Sequence, residues 1–158
     1  MRYVVQHKKA TYINFLVILI NIAIYFFLAL FIAFKFITNE LFPNDLVLSL
    51  KGNPEEFLEP KSLDMVIEFM HIESFMVIVL LLTVISIFIR TIYNDKLKIY
   101  FSFILFLSAF LYFSSIFGVI FISETFAYIN FLSFCILIFG TLIINTLNLY
   151  SFLSGKIK

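Results

Sequence analysis

Four long apolar runs constrain the fold of this chain more than any other feature of its sequence. They lie at about Tyr12–Phe34, Ile72–Ile89, Ile99–Ile122 and Phe126–Leu149, and each is about 18 to 24 residues long. A helix that rises about 1.5 Å per residue needs about 20 residues to cross about 30 Å of hydrocarbon. The runs do not alternate between apolar and polar residues, as the strands of a membrane barrel do. The sequence therefore predicts four transmembrane helices.

The composition of the whole chain agrees with a membrane protein. Of its 158 residues, 63% are hydrophobic and 13% are charged, whereas soluble domains carry about 25% charged residues. We therefore predict an all-α integral membrane protein, a four-transmembrane-helix bundle that forms a single membrane domain over 1–158. The predicted segments are helix 1 at about 12–36, an outer loop at about 38–62, helix 2 at about 63–92, helix 3 at about 97–122 and helix 4 at about 126–152.

Net charge and motifs narrow the classes of function. A net charge of +1 excludes the broad basic surface that nucleic-acid binding requires. Cys135 is the only cysteine, so an intrachain disulfide and a multi-thiolate metal cluster are excluded. The sequence contains no P-loop, no glycine-rich dinucleotide motif, no nucleophile elbow and no His-Glu-x-x-His motif. These observations favour a protein that is not an enzyme.

The distribution of charge along the chain predicts its orientation. Lysine and arginine flank alternate ends of the runs, at Arg2, Lys8 and Lys9, at Arg90, Lys96 and Lys98, and at Lys156 and Lys158. The segment from Thr38 to Glu68 instead holds seven carboxylates. Because positive charge concentrates on the cytoplasmic side, we predict a multi-pass protein of the bacterial inner (plasma) membrane with both termini in the cytoplasm and the acidic loop outside.

The acidic loop between the first two runs is predicted to be structured, because half of it is apolar. Its apolar residues Leu46, Val47, Leu48 and Leu50 are expected either to lie along the outer interface or to cap the bundle. Asn53 and Pro54, followed by two glutamates, are typical of a helix start. Ser62 is expected to cap the next helix, with Asp64 near the positive end of its dipole.

Asp64, Glu68 and His71 form the best candidate ligand set. Their spacing places them on one face of a helix, and two carboxylates with an imidazole suit zinc, iron or manganese. One helix cannot complete such a site, so a divalent metal would need ligands from the acidic loop or another chain. A haem held by His71 would be shared with another chain. The alternative is an interfacial histidine that bonds water, lipid headgroups or Glu68.

Two further ionisable residues are predicted near the outer interface. Lys35 is expected to extend its ammonium along the lipid to the headgroups, or alternatively to pair with an acidic side chain of the following loop. Glu73 is expected either to reach water or to be a functional group at membrane depth, where a charge is costly.

Small and polar residues recur along the predicted helices and favour helix–helix packing, because they allow close approach and hydrogen bonds between helices. The alternative is a permeation or substrate path. The residues are Asn21 in helix 1, Ser108, Ser115 and Gly118 in helix 3, and Asn130, Ser133, Gly140, Thr141, Asn145 and Asn148 in helix 4.

The leading functional prediction is a non-catalytic subunit or accessory component of a membrane complex. Its expected partners are the lipid bilayer and either further copies of itself or a larger membrane complex, with no nucleic acid. The first alternative is a metal- or haem-binding redox protein that uses Asp64, Glu68 and His71. The second is a small transporter or channel.

Overall fold

A computed structural model describes residues 2–53 and 59–154, with side chains from Tyr12 onward. Within these ranges the chain forms five α-helices and no strand. The helices are α1 (Arg2–Ile37), α2 (Pro43–Lys51), α3 (Leu63–Ile89), α4 (Asp95–Phe121) and α5 (Phe126–Leu153). All but α2 are long and apolar enough to cross a membrane. The predicted all-α fold with four spanning helices is confirmed.

The observed helix ends differ from the predicted bounds mainly at the start of α1 and at the end of α3. α1 begins at Arg2 rather than at about residue 12, because the helix continues through polar residues that the apolar run does not include. α3 ends at Ile89, three residues before the predicted 92, since the turn to α4 begins at Arg90. α4 and α5 begin and end within two residues of their predicted bounds, about 97–122 and about 126–152.

Side-chain caps explain where two of the spanning helices begin. The Oγ atom of Ser62 accepts a hydrogen bond from the Met65 amide at 3.4 Å, so the predicted Ser62 cap is confirmed. The Oδ1 atom of Asn94 accepts from the Lys96 amide at 2.9 Å. Such caps bond amides of the first turn that have no partner within the helix.

The last helix, α5, holds the bundle together, because it contacts each of the other four helices. Its closest partner is α4, which reaches it through a short turn, whereas α1 packs mainly against α5 and touches α3 less. The shared apolar core includes Leu28, Val77, Leu81, Leu105 and Leu137.

Two glycines permit the close approach of α4 and α5. A Cβ atom on Gly118 would lie 2.3 Å from Cδ1 of Phe126, well inside contact distance. A Cβ atom on Gly140 would lie 2.7 Å from Cδ2 of Leu105. Gly118 therefore leaves space for an aromatic ring at the first residue of α5, and Gly140 leaves space for the end of a leucine.

The short helix α2 caps one end of the bundle, which we call the α2 end. Its buried residues Leu46 and Leu50 pack against Val66, Ile116 and Ala127 of the spanning helices. Pro43 occupies its first turn, where a missing amide hydrogen is tolerated. Of the two expectations for this apolar segment, the structure shows the cap. The helix expected to follow Asn53, from Pro54 onward, begins outside the described residues, since 54–58 are not among them.

At the opposite end of the bundle, Lys98 is a buried residue of α4 that contacts the end of α3. Its Nζ atom donates to the carbonyl oxygens of Ile89 at 3.0 Å and Thr91 at 2.7 Å. These carbonyls belong to the end of α3 and the residues just after it. Because the last carbonyls of a helix carry its negative dipole end, a lysine there stabilises the turn between α3 and α4.

Candidate functional site: a buried charge cluster at the α2 end

Lys35 in the last turn of α1 does not lie along the lipid surface. Its side chain is buried, with 4% of the residue exposed. The Nζ atom lies 2.7 Å from Oε2 of Glu40 and 2.5 Å from Oε1 of Glu73. Of the two expectations for Lys35, the extended, headgroup-bound side chain is therefore wrong, and the observed arrangement is the ion pair with the following loop, with Glu73 as a second partner.

Glu73 on α3 is equally enclosed, with 5% of the residue exposed. Besides Lys35, its carboxylate accepts a hydrogen bond from the hydroxyl of Tyr112 on α4, over 3.3 Å. Asn130 of α5 in turn donates its side-chain amide to the Tyr112 carbonyl at 2.8 Å and to Oγ of Ser115 at 3.0 Å. One continuous set of polar contacts thus joins α1, α3, α4 and α5.

Glu40 and Lys61 extend the cluster into the segments on either side of α2. The Lys61 ammonium donates to Oε1 of Glu40, whose other oxygen binds Lys35. Burial by itself raises the pKa of Glu40, but the charge of Lys35 and the hydrogen bonds from Lys35 and Lys61 hold that pKa below its ordinary value. Glu40 is therefore ionised at neutral pH and bridges the two lysines.

The four charges of the cluster balance, since two ammonium groups face two carboxylates. They border a cavity of about 30 Å³ that Leu46, Met70 and other apolar side chains complete. That volume holds about one or two water molecules. Buried ion pairs of this kind contribute little net stability, because desolvation offsets their attraction, but losing one partner is strongly destabilising. The cluster can therefore fix one arrangement of the helices and hold water.

The predicted ligand set lies elsewhere, along the exposed face of α3. Asp64, Glu68 and His71 are all exposed, and the structure brings none of them into the Lys35 cluster. Among the described residues, no three histidine, cysteine, aspartate or glutamate side chains are close enough to hold a metal ion. Metal or haem binding with help from another chain stays a prediction, which a metal assay and a search for a Soret band of the purified protein would test.

The polar residues of the predicted packing stripe lie between helices. Asn145 of α5 donates to the backbone carbonyl of Asn21 in α1 at 2.9 Å, and Asn148 donates to the Val84 carbonyl of α3 at 3.0 Å. The residues of the stripe that are buried are Asn21, Ser108, Ser115, Gly118, Asn130, Ser133, Thr141, Asn145 and Asn148; Gly140 is half-buried.

Several oxygens along this stripe have no hydrogen-bond partner among the described residues. They are Oδ1 of Asn21, Asn145 and Asn148 and Oγ1 of Thr141. The three amides use their nitrogens instead, each on a backbone carbonyl. The contact of Asn21 lies within α1, whereas those of Asn145 and Asn148 join α5 to α1 and α3.

Three members of the cluster are absent from the residues selected from sequence: Glu40, Lys61 and Tyr112. Glu40 has a signal in retrospect, because it follows Lys35 by five residues and the chain must turn between them. Tyr112 has a weaker signal, a hydroxyl in the middle of an apolar run. Lys61 has no such signal in the sequence, because its partner Glu40 is 21 positions away and their contact depends on the path of the loop between them.

The fold and the site define a multi-pass helical membrane protein. Residues 40–158 match the family model Aq_1264_TM, described as a transmembrane helical domain, and the chain belongs to this family. The matched region includes α2 to α5 and three charged members of the cluster, whereas α1 with Lys35 precedes it. No curated protein and no solved structure matches the chain.

Proposed function

We propose that this chain is a non-catalytic component of a membrane assembly, a subunit or accessory protein that associates with further copies of itself or with a larger complex. One observation carries the proposal: α1 is sparsely covered. In its most apolar window 22% of residues are buried, against 39 to 44% in α3, α4 and α5. Phe15, Phe26 and Leu30 are among its exposed side chains. A spanning helix held mainly by one neighbour has a wide face on which another chain can pack.

The internal use of polar groups supports the same proposal. Asn130, Asn145 and Asn148 each donate a hydrogen bond to another helix of the same chain. The four charges of the buried cluster, including that of Lys35, neutralise one another. Helix association in a bilayer depends on close packing and such interhelical bonds. A bundle built in this way is suited to a fixed shape that a partner can recognise.

The proposed orientation places both termini in the cytoplasm and the α2 end outside, in a bacterial inner membrane. Arg90, Lys96 and Lys98 cluster at the end opposite α2, whereas Glu124 lies in the turn at the α2 end. This distribution of charge supports the orientation through the positive-inside rule. Lys156 and Lys158, which enter the same argument, lie outside the described residues, and the side chains of Arg2, Lys8 and Lys9 are not among those described.

A photo-crosslinking residue in α1, combined with a mass measurement, tests the subunit proposal. The crosslinker replaces Phe26, which is 68% exposed, and the matched control replaces Phe139 of α5, which is 64% exposed. We expect a cross-linked product from position 26 in native membranes and none from position 139. In mild detergent the protein mass of the particle, after the mass of bound detergent is subtracted, should exceed the 18.5 kDa of one chain. An isolated monomer with no cross-linked product at either position would contradict the proposal.

Transport is the second candidate, because ionisable groups at membrane depth often mark transport pathways. Lys35 and Glu73 lie in spanning helices beside a small cavity. The test is the flux of protons and of potassium ions into liposomes that contain the purified chain. Wild-type protein should raise the flux above that of empty liposomes, and Lys35→Met should abolish the increase. Equal flux with and without protein would remove this candidate.

A further inference from the structure

A groove separates α3 and α4 on the surface of the bundle. Its volume is about 510 Å³, within the range of about 300 to 1,000 Å³ that ligand pockets occupy. On α4 its wall consists largely of phenylalanines, including Phe106, Phe110 and Phe117, and on α3 it extends from Ile67 to Ile78. Phe110 is 67% exposed, so the groove opens towards the surroundings of the bundle.

The length of the groove matches one leaflet of a bilayer. Ile67 and Ile78 are eleven positions apart in α3, which corresponds to about 16 Å along a helix. Half of a hydrocarbon core of about 30 Å is about 15 Å. Because α3 and α4 both span the membrane, acyl chains are the molecules that meet this groove at high concentration.

The polar groups of the groove lie towards the α2 end. The lining includes the imidazole of His71 and the hydroxyls of Ser74 and Ser114. The Ser74 hydroxyl already donates to the His71 carbonyl at 3.0 Å. His71 lies eighteen positions from Ile89 at the other end of α3, about 27 Å along the helix, which places it near the hydrocarbon boundary.

Two carboxylates continue the same side of α3 beyond His71. Glu68 is three residues and Asp64 seven residues nearer the start of the helix, and both are exposed. At about 1.5 Å per residue, Glu68 lies about 4.5 Å further along the axis than His71. Along α3 towards the α2 end, an imidazole comes first and carboxylates come next. This order is complementary in hydrogen bonding and charge to a lipid headgroup in which a phosphate is followed by an ammonium group.

We propose that this groove binds one glycerophospholipid with a primary-amine headgroup, of the phosphatidylethanolamine type. An acyl chain lies against the α4 phenylalanines, the phosphate accepts a hydrogen bond from the His71 imidazole, and the ammonium pairs with Glu68 or Asp64. A choline headgroup has no N–H to donate to these carboxylates, and a glycerol headgroup has no positive charge. The site therefore distinguishes headgroups as well as accommodating a chain.

Native mass spectrometry of the full chain in mild detergent tests this proposal. The protein is supplied with equal amounts of phosphatidylethanolamine, phosphatidylcholine and phosphatidylglycerol. A chelator is present to remove any metal ion, so that lipid retention cannot depend on a metal bound at His71. We expect one retained lipid, predominantly phosphatidylethanolamine. Glu68→Gln should reduce the preference for this headgroup, and His71→Leu should reduce retention about tenfold, the loss expected for one hydrogen bond to a charged group.

A groove-filling variant provides the matched comparison. Ser114→Trp places a large ring in the groove, whereas Ala33→Trp places the same ring on an exposed position of α1 that does not line it. We expect Ser114→Trp to lose the retained lipid and Ala33→Trp to keep it. Equal retention of the three headgroups, or unchanged binding in both Glu68→Gln and His71→Leu, would overturn the proposal even if Ser114→Trp fails to fold.

Discussion

The Nζ atom of Lys35, at the end of α1, lies 2.5 Å from Oε1 of Glu73 on α3, and both residues are almost fully buried. α1 and α3 otherwise touch little. Because a charge at membrane depth is costly unless a partner neutralises it, this pair favours one position of α1 relative to α3. The ring of Tyr112, whose centroid lies 5.9 Å from the same nitrogen, adds α4 to the contact.

Removing the lysine of this pair should destabilise the protein strongly. Lys35→Met leaves the carboxylate of Glu73 buried without its cation, while Glu40 keeps Lys61 as a partner. The expected loss is about 3 to 5 kcal/mol in the free energy of unfolding. Thermal unfolding of the purified protein in detergent measures it as a large fall in Tm.

A second substitution and a control variant make this prediction specific. Glu73→Gln in the Lys35→Met background removes the unpaired charge and should restore much of the lost stability. Lys51→Met breaks the exposed pair with Glu124, 3.2 Å apart, and should cost at most about 1 kcal/mol. A double variant as unstable as Lys35→Met alone would contradict the role given to the buried pair.

Gly118 should tolerate no side chain. Because a Cβ atom there would lie 2.3 Å from the Phe126 ring, Gly118→Ala should lower stability by about 1 to 3 kcal/mol through overpacking. Phe126→Ala in the same background should relieve the clash. Gly140→Ala is the control, since its Cβ would meet only the methyl end of Leu105. An unchanged melting temperature for Gly118→Ala relative to the wild type would argue against a tight contact at Gly118.

The acid stability of the protein should depend on Glu40. Lysine partners hold its pKa below its ordinary value of 4.5, so its ionised form stabilises the folded state above that value, and this contribution is lost as pH falls through the lowered pKa. We expect the Tm of the wild type to fall between about pH 5 and pH 3 more steeply than that of Glu40→Gln. Glu124→Gln, whose carboxylate is exposed, should follow the wild type. Parallel curves for wild type and Glu40→Gln would refute the prediction.

Much of the fold can be predicted from the sequence because lipid imposes a simple rule on each spanning segment. Twenty consecutive apolar residues have few alternatives to a transmembrane helix. Helix α1 begins ten residues before the predicted start of helix 1, because an apolar run marks the part of a helix that can lie in lipid and not the ends of the helix. The cap at Ser62 could be predicted because it depends on neighbours within three residues.

The pairing of Lys35 with the following loop was among the expectations, because Glu40 is only five positions away. The rest of the charge cluster could not be predicted in the same way, because its contacts join residues far apart in the chain. Glu73 and Tyr112 are 39 positions apart, and no local pattern reports which faces of α3 and α4 meet. Asp64, Glu68 and His71 on the exposed face of α3 have a regular helical spacing that a sequence shows directly. Glu73, two residues after His71, was selected as an ionisable residue near the outer interface, but no spacing in the sequence indicated Lys35 and Tyr112 as its partners.

Cysteine labelling should establish the orientation. Cys135 is the only cysteine, so Cys135→Ser gives a background without thiols. Asn44→Cys introduces an exposed thiol at the α2 end, and Ile92→Cys introduces one at the opposite end, where Ile92 is 48% exposed. The positive-inside rule places the lysine- and arginine-rich end of the bundle, opposite α2, in the cytoplasm. A membrane-impermeant maleimide should therefore label position 44 in intact cells and position 92 only after lysis. The thiol-free parent should remain unlabelled in both conditions, and labelling of position 92 alone in intact cells would reverse the proposed orientation.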